Sequence, residues 1–349
     1  MMYRPQATKD MLDNIVSEQN SSGDHMEVVT EGSRSILRIS NETGSGTMLF
    51  HNIFPGIAVS FNDFHMQRCV TGVHSAAKPL CIDHCREGRM EQPLHGGTYV
   101  YVEKGDLKLD DRSHHEGVFE LPLSRYRGIS VSYDPDEAQA SIDKVIGAGV
   151  VSLAEMKNRF CVDGMPMVLH EVQGAEHIFS EMYAAPEGVL DAYLRVKTIE
   201  LALFLEGLVP NASTDRRPYL YRSQVEKVRA ARDLMVDDLT REYTIAQLAE
   251  RFNMPTTAFK ACFRGVYGMP PATYLRAYRM QQAADMLMNT SLKIADVAAS
   301  VGYGSASKFT QAFRDVMGAT PSSWRKTQHP YALKQAYGGK IPSKRDNFA

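Results

Sequence analysis

The side chains best suited to metal binding or catalysis form two short clusters in the first third of the chain. Cys81, His84 and Cys85 lie within five positions, and His114 directly precedes His115. On a β-strand, Cys81 and Cys85 would share one face while His84 points to the other, and the adjacent histidines would also diverge, so neither cluster favours a tetrahedral metal site. The sequence pattern pairs no nucleophile with a base and contains no glycine-rich phosphate loop. It therefore predicts no metal, no cofactor and no enzymatic activity.

A second set of polar residues recurs in the last third of the chain. Segments 244–252 and 293–301 both carry apolar residues at their second, fifth and ninth positions and an alanine at the sixth. Each segment is followed by a short break and then by a predicted helix with two phenylalanines four residues apart, the first being Phe259 or Phe309. A glycine and then a proline follow each helix, as helix C-termini favour. This repeat predicts two helix-turn-helix units.

The outward faces of the two second helices carry groups that suit duplex DNA. A helix that enters the major groove needs an apolar side for anchoring and a polar, partly basic side for base edges and phosphates. The outward candidates are Thr256, Thr257, Lys260, Ala261 and Arg264 in the first unit, and Ser307, Lys308, Thr310, Gln311 and Arg314 in the second, with Ser305 as its N-cap. Lys308 and Arg314 favour phosphate contacts. Gln311 is the best candidate base reader, because its amide can pair with adenine.

The second unit also carries a family signature. Segments 294–298 (IADVA), 301–309 (VGYGSASKF) and 318–325 (GATPSSWR) resemble the AraC/XylS family of transcription regulators, and the resemblance extends over 222–327. It implies an all-α DNA-binding domain in which a long helix, 271–289, joins two helix-turn-helix motifs. It also implies RNA polymerase as a partner, activation rather than repression, and an N-terminal domain, often a cupin-like barrel, that senses a small effector or forms dimers.

The first unit departs from the family pattern. The family often has a serine at the start of the first recognition helix, where this chain has Pro255 and Thr256. It often has bulky or basic residues at the positions of Thr257 and Ala261. The resemblance therefore implies that the first unit reads bases weakly or depends on Lys260. Further along the chain, the single tryptophan, at position 324, is predicted to be a core anchor.

The first two-thirds of the chain show a different pattern. Short β-type runs broken by Gly, Pro, Asp and Asn fill 26–133, which indicates a small barrel or sandwich. Helical periodicity begins after Pro135, and its clearest segment, 188–208, has leucines along one face. That face forms either a dimer seam or a contact with the barrel of its own chain. One group of polar and aromatic residues has two alternative interpretations, a polar pocket or a solvated turn. Its members are Arg86, Glu87, Arg89, Tyr99 and Tyr101.

Together these patterns predict an α+β multidomain protein with a small β-barrel, a group of helices and an all-α domain. The predicted parts are a flexible leader at 1–25, a β-barrel-like sensing domain at 26–133, a helical dimerisation or packing segment at 134–208, a linker at 209–221, a tandem helix-turn-helix domain at 222–327 and a basic tail at 328–349.

Charge is divided unevenly along the chain. Residues 222–326 carry 15 Lys and Arg against 9 Asp and Glu, and 327–349 carry 4 against 1, although the whole chain has a net charge of -2. Only the C-terminal end therefore suits a polyanion. Five scattered cysteines fit a reducing cytoplasm. The N-terminus lacks a signal-peptide pattern and the most apolar helical stretch, 199–209, is too short to span a bilayer, so we expect a cytoplasmic protein without membrane contact.

The predicted function is that of a sequence-specific transcription regulator, which binds promoter DNA in the major groove as a homodimer. The family resemblance further implies that this regulator is an activator and that it responds to a small effector. One alternative is a DNA-repair-type alkyl-acceptor enzyme, although relatives of that kind use a four-cysteine zinc site that this chain lacks. The other is an effector-independent regulator controlled by a protein partner. The sequence leaves open the effector, the target DNA and the role of the leucine-lined segment.

Overall fold

The computed structural model describes residues 25–31, 34–70, 79–94, 96–112, 118–209 and 219–327. The chain forms two compact units, the first made of residues up to 219 without 122–124, and the second of 122–124 together with residues from 220 onward. Nearly all of the predicted leader, most of the predicted linker and the whole basic tail lie outside the described residues. His95, His114, His115 and Glu116 lie outside them as well.

The first unit is built on a curled antiparallel sheet that forms a half-barrel. Its strands are β1 (His25–Glu31), β2 (Arg34–Asn41), β3 (Gly44–Phe54), β4 (Ile57–His65), β5 (Arg68–Val70), β6 (Leu80–Leu94), β7 (Thr98–Glu103), β8 (Leu107–Asp110), β9 (Val118–Glu120), β10 (Tyr126–Tyr133) and β11 (Met167–Leu169). The main path of the sheet is β1-β2-β3-β4-β10-β6-β7. Of the short strands, β8 pairs with β6 and β11, and β9 pairs with β5 and β6.

The sheet curls because the two halves of β6 pair with different neighbours. Residues 81–84 pair with β8, whereas residues 89–94 pair with β7. Between the halves, Gly88 has a φ of +88°, and a Cβ at this position would lie 2.0 Å from the carbonyl oxygen of Arg125. Only glycine fits both that backbone conformation and that close approach. Gly88 therefore lies where the pairing partner of β6 changes from β8 to β7, at a position that requires glycine.

Four helices pack against one face of the sheet, and they lie in the region after Asp134 where the sequence shows helical periodicity. They are α1 (Pro135–Ile146), α2 (Leu153–Phe160), α3 (Gln173–Ala184) and α4 (Leu190–Gly207). Asp134 and Ser152 begin α1 and α2, and their side chains accept hydrogen bonds from backbone N–H groups of the first turn. Such caps satisfy donors that have no partner inside the helix.

The leucine-lined face of α4 packs on its own chain. Leu194, Leu201 and Leu205 have no exposed surface and share one core with apolar residues of the sheet. Of the two alternatives for this face, the structure shows the intrachain contact. The other side of α4 carries Val196, which is 64% exposed, and Leu203, which is 42% exposed.

Buried polar groups of the sheet also hold these helices. The hydrogen bonds join His51 Nδ1 to Asp191 (2.7 Å), His84 Nε2 to Glu176 (2.8 Å) and Tyr133 Oη to the carbonyl oxygen of Thr198 (2.6 Å). Burial lowers the pKa of His51 and of His84 by more than their carboxylate partners raise it. Both imidazoles are therefore neutral near pH 7 and act as hydrogen-bonding ties.

The sequence left two alternatives for the charges near Arg89, a polar pocket or a solvated turn, and the burial of Arg89 excludes a solvated turn at this residue. Arg89 is buried and pairs with Glu103, and Tyr101 is buried as well. Arg86 is exposed, and its guanidinium lies 4.2 Å from the centre of the Tyr183 ring. Because β6 places Arg89 in the interior, its ion pair with Glu103 is part of the packing of the sheet.

The described part of the second unit is helical apart from the two-residue strand β12 (Leu220–Tyr221). Its helices are α5 (Arg222–Asp237), α6 (Ile245–Arg251), α7 (Thr256–Tyr267), α8 (Pro271–Asn289), α9 (Ile294–Ser300), α10 (Ala306–Met317) and α11 (Pro321–Thr327). The long helix α8 has the predicted bounds and contacts α5 and α7 as well as α9, α10 and α11. Among the helices that the structure describes, none has the length and apolar character needed to cross a membrane.

Candidate nucleic-acid interface

Two helix pairs in the second unit repeat each other's geometry. A short turn joins α6 to α7, and another joins α9 to α10. In the first turn the N–H groups of Asn253 and Met254 donate to the carbonyls of Glu250 and Ala249, and in the second those of Gly302 and Tyr303 donate to Ala299 and Ala298. The hydrogen bonds of the two turns thus match one for one. The second turn is one residue longer than the first. For this reason the sequence separation between the two phenylalanine pairs is one residue greater than the sequence separation between the two turns.

The second residue of each turn lies in the left-handed region. Asn253 has a φ of +49° and Gly302 a φ of +83°. Asparagine tolerates this conformation better than most residues that carry a Cβ. At Gly302 a Cβ would lie 2.3 Å from the carbonyl oxygen of Leu239, so the packing there also requires glycine.

The second helix of each pair has the predicted apolar and polar sides. Phe259 and Phe263 of α7, and Phe309 and Phe313 of α10, have no exposed surface. The opposite sides carry the predicted contact residues. Exposed among them are Thr256, Thr257, Lys260, Ala261 and Arg264 on α7, and Ser307, Lys308, Gln311 and Arg314 on α10, whereas Thr310 is half-buried.

Further packing fixes α10 in place. Trp324 is 3% exposed, and its ring meets that of Phe313 edge-on with centres 5.9 Å apart, so the predicted core anchor is confirmed. Ser305 is the N-cap, and its Oγ accepts a hydrogen bond from the backbone N–H of Lys308 at 3.4 Å. Its hydroxyl therefore stabilises the start of the helix.

The two pairs use different caps. Pro255 begins α7 without a side-chain hydrogen bond. In that pair it is α6 that starts with a capping box, formed by Thr244 and Gln247. Helix α9 begins after Lys293 and has no side-chain cap. The side-chain cap thus lies on the first helix of the first pair and on the second helix of the second pair.

A chain of hydrogen bonds that the sequence analysis missed crosses the outward face of α10. Gln311 Nε2 donates to Asp315 Oδ1 at 2.6 Å, and Arg314 Nη2 donates to Gln311 Oε1 at 2.6 Å. Arg276 of α8 donates to the other oxygen of Asp315 at 2.7 Å. The i, i+4 spacing of Gln311 and Asp315 was a usable signal. Arg276 lies 39 positions before Asp315, and no sequence pattern connects them.

This network leaves Gln311 able to contact a base. The amide keeps one N–H and one lone pair, which are the two groups that a bidentate contact with adenine requires. The existing bonds fix which way the amide points. The outward face also has the charge for a polyanion, because α7 carries Lys260 and Arg264 without an acidic residue and α10 carries Lys308 and Arg314 against Asp315 alone.

Known proteins match the same region. Residues 248–327 match the family model of a helix-turn-helix domain. The virulence regulon transcriptional activator VirF of Yersinia enterocolitica is 34% identical over 94 residues, which cover 27% of this chain and 35% of that protein. A putative AraC-like transcription regulator of Streptomyces antibioticus is 28% identical over 198 residues, which cover 53% of this chain and 64% of that protein. Among solved structures, the C-terminal domain of AraT, a response regulator from Geobacillus stearothermophilus, is 29% identical, with 30% of this chain and 89% of that chain covered and a TM-score of 0.28.

The relatives are matched over only part of their length. The chain spans 35% of VirF and 64% of the Streptomyces protein. The Streptomyces match is longer than the stretch 220–349, so it extends into the first unit. The family model thus lies within the helical unit, whereas the match to the Streptomyces protein reaches beyond it.

Proposed function

We propose that this chain is a sequence-specific, DNA-binding regulator of transcription in the cytoplasm, because residues 248–327 match the family model of a helix-turn-helix domain and a relative is named as a putative AraC-like transcription regulator. The observation that carries the proposal is the repeated helix pair, in which α7 and α10 bury their phenylalanines and turn polar, basic sides outward. Each pair would act as one helix-turn-helix unit. With α8 as a rigid spacer, α7 and α10 would enter successive major grooves, about 34 Å apart.

The outward residues would divide the work of binding. Lys308 and Arg314 on α10, and Lys260 and Arg264 on α7, would contact phosphates and set the position of the protein on the duplex. Gln311 would read one base pair. The remaining contacts, which are short side chains next to the groove, are Thr256, Thr257, Ala261, Ser307 and Thr310. Because α7 offers no amide or carboxylate to a base edge, α10 would supply more of the specificity.

Salt dependence tests this function on the full chain. Binding to a duplex should weaken steeply as salt rises, because each phosphate contact releases a counterion. Lys308→Ala should weaken binding to all sequences alike and reduce the slope of log affinity against log salt by about 1. Lys144→Ala, which removes an exposed lysine of α1, is the matched control and should change neither. Affinity that does not depend on salt would contradict the proposal.

Regulation is proposed to come from the first unit. Its half-barrel lines a partly open cavity, which favours a small-molecule effector over control by a protein partner alone. Effector binding would shift the balance between conformations that bind DNA well and poorly. VirF is named as a transcriptional activator, and activation through RNA polymerase is the role proposed here. The protein is proposed to act as a homodimer, supported by the exposed apolar pair Val196 and Leu203 on α4.

An alkyl-acceptor enzyme is less well supported. All five cysteines are buried and unbridged. Burial raises the pKa of Cys81, Cys85 and Cys161, so these thiols stay protonated at neutral pH. An acceptor cysteine has to be reachable and ionisable to attack an alkyl group. Mass spectrometry after incubation with alkylated DNA should therefore show no alkylated cysteine.

A further inference from the structure

An open cleft of about 260 Å³ lies beside the first helix pair of the second unit. Its walls are the end of α5, the segment that leads into α6, the start of α6 and the first turns of α8. Most of the residues that line it are apolar, and together they offer a surface on which the body of a small molecule can lie. The larger of these apolar residues are Met235, Tyr243, Ile245, Leu248, Pro271 and Leu275.

The repeat explains why this cleft is open. Helix α11 corresponds to the start of α8 by the same offset that relates the two phenylalanine pairs, and this offset matches Arg325 with Leu275. Arg325 donates hydrogen bonds to the carbonyl oxygens of Leu287 at 3.3 Å and Leu292 at 2.6 Å, and these bonds tie α11 to the segment before α9. The side chain of Leu275 has no N–H group, so the corresponding space before α6 is left open.

Two arginines of α8 give the cleft an excess of positive charge. Arg276 and Arg279 both line it and lie three positions apart, which places them on one face of the helix. Arg276 is 46% exposed and donates one hydrogen bond to Asp315, and Arg279 donates one to the carbonyl oxygen of Arg241, which offsets no charge. A guanidinium has five N–H groups, so both arginines keep donors that bond to none of the described residues. Glu242 is the one acid in the lining, which therefore carries two positive charges against one negative charge.

An apolar surface beside unmatched positive charge suits a small organic anion. A carboxylate accepts strong, charge-assisted hydrogen bonds from guanidinium groups. It also offsets the repulsion between two like charges on one helix face. Inorganic phosphate would leave the apolar surface in contact with water, and an uncharged molecule would leave the two arginines unmatched.

We propose that this cleft binds a small monocarboxylate with a compact apolar body. The carboxylate accepts hydrogen bonds from Arg276 and Arg279, and the apolar body lies on Leu248 and Leu275. If each non-hydrogen atom takes up about 30 Å³, the share of one water molecule in the liquid, the cleft holds about nine of them.

Arg276 connects the cleft to the proposed base reader. Its hydrogen bond holds the Asp315 carboxylate, which in turn orients Gln311. A ligand carboxylate competes with Asp315 for Arg276, so an occupied cleft leaves Gln311 less firmly oriented. By linkage, DNA that engages Gln311 weakens the ligand by the same factor. The inference rests on the proposed function only for this coupling, because binding in the cleft is measured without DNA.

Three probes separate the charge of the ligand from its apolar body. Benzoate has both, benzamide has the same shape without the charge, and inorganic phosphate has the charge without the apolar body. The full chain is labelled with ¹³C at its methionine methyls, because Met235 lines the cleft while Met280, buried in the same unit outside the cleft, serves as an internal reference. Benzoate should shift Met235 saturably without shifting Met280. Benzamide and phosphate should bind at least about tenfold more weakly, the weight of one hydrogen bond to a charged group.

Two variant pairs test the contacts. Arg276→Gln should remove most of the preference for benzoate over benzamide, whereas Arg251→Gln, which changes an exposed arginine of α6, should keep it. Ala272→Leu enlarges a residue of the cleft lining and should weaken benzoate and benzamide alike, whereas Thr273→Leu, at the next exposed position of α8 and outside the lining, should weaken neither. The contrast among the three probes on the unaltered chain needs no variant, so it stands even if a variant folds poorly.

The coupling has its own measurement. Asp315→Asn removes the charge that competes for Arg276, so benzoate should bind about threefold more tightly to this variant. An unchanged affinity would refute the connection between the cleft and Gln311.

Several results would overturn the proposal. Equal binding of benzamide would refute a charged ligand, and equal or tighter binding of phosphate would refute the apolar body and leave only a phosphate contact. No shift of Met235 with any probe would mean that the cleft binds no small anion. Salt-dependent DNA binding is measured on the same samples, so absence of benzoate binding with DNA binding intact counts against this inference and not against the proposed function.

Discussion

On the outward face of α10, the Gln311 amide is shared between Asp315 and Arg314, and Asp315 is held in turn by Arg276. These side chains are exposed, so each bond contributes little to the stability of the fold. Their consequence is orientation, because an amide that already points one way loses less freedom when it meets a base. On the surface that we propose to face DNA, the Asp315 carboxylate would repel phosphates, and its presence there is explained if it positions Gln311.

Replacing that acid therefore has two opposite effects. Asp315→Asn should raise affinity for random duplex by about threefold, because a repulsive charge is removed. It should also reduce discrimination at the base pair that Gln311 is proposed to read, though by less than the roughly 1–3 kcal/mol expected for Gln311→Ala. Fluorescence anisotropy on matched and single-mismatch duplexes measures both. Glu226→Gln removes an exposed acid from α5 and controls for net charge. Unchanged discrimination in Asp315→Asn would show that Asp315 does not position the reader.

At the scale of elements, the turn between α9 and α10 depends on one glycine. Gly302→Ala forces a left-handed residue with a Cβ 2.3 Å from a carbonyl oxygen, which should destabilise the second unit by about 2–4 kcal/mol. Gly304→Ala, two residues on, meets open space and should cost less than about 1 kcal/mol. Trp324 is the single tryptophan and lies in this part of the core, so its fluorescence during denaturant unfolding reports the difference. Equal unfolding midpoints for the two variants would contradict the role given to this turn.

The helices of the first unit depend on neutral histidines, which makes their attachment sensitive to pH. The pKa of His84 is lowered in the folded chain, so the unfolded chain binds the proton first as pH falls below about 6.5. The stability that His84 contributes is therefore present at neutral pH and is lost on acidification. Thermal unfolding should show a decline in Tm from pH 7.5 to 5.5 that is shallower in His84→Gln. His177→Gln, at an exposed position of α3, should keep the full decline. A Tm that rises on acidification would contradict this account.

Elements with a repeating pattern were predictable, and single contacts were not. The helices of both units follow from apolar periodicity, and the phenylalanine pairs gave the buried side of α7 and α10 because spacing of four residues fixes one helix face. The requirement for glycine at position 88 depends on a carbonyl oxygen 37 residues away, and Arg89 beside it is buried and pairs with Glu103. The Arg276–Asp315 contact likewise joins distant positions. Such features arise only when the chain is folded, so local sequence patterns do not contain them.

At the scale of the whole molecule, the proposed homodimer has one testable surface. The leucine face of α4 is used inside the chain, which leaves the opposite side with Val196 and Leu203. Changing both to Glu should give a monomer in sedimentation and weaken binding to a two-site duplex, while binding to a single site stays unchanged. Val150→Glu, at another exposed valine of the first unit, should leave the mass unaltered. A mass that is the same for both variants would place any dimer contact elsewhere.

The central claim is that the second unit reads base sequence, chiefly through α10. The most direct test is selection of bound duplexes from a random pool, carried out in parallel with the unaltered full chain and with Gln311→Ala. The account predicts that the unaltered chain enriches one defined motif, and that the variant enriches the same motif with its preference lost at a single base pair. If the unaltered chain enriched no motif, or if Gln311→Ala selected an identical motif at every position, the claim would be contradicted.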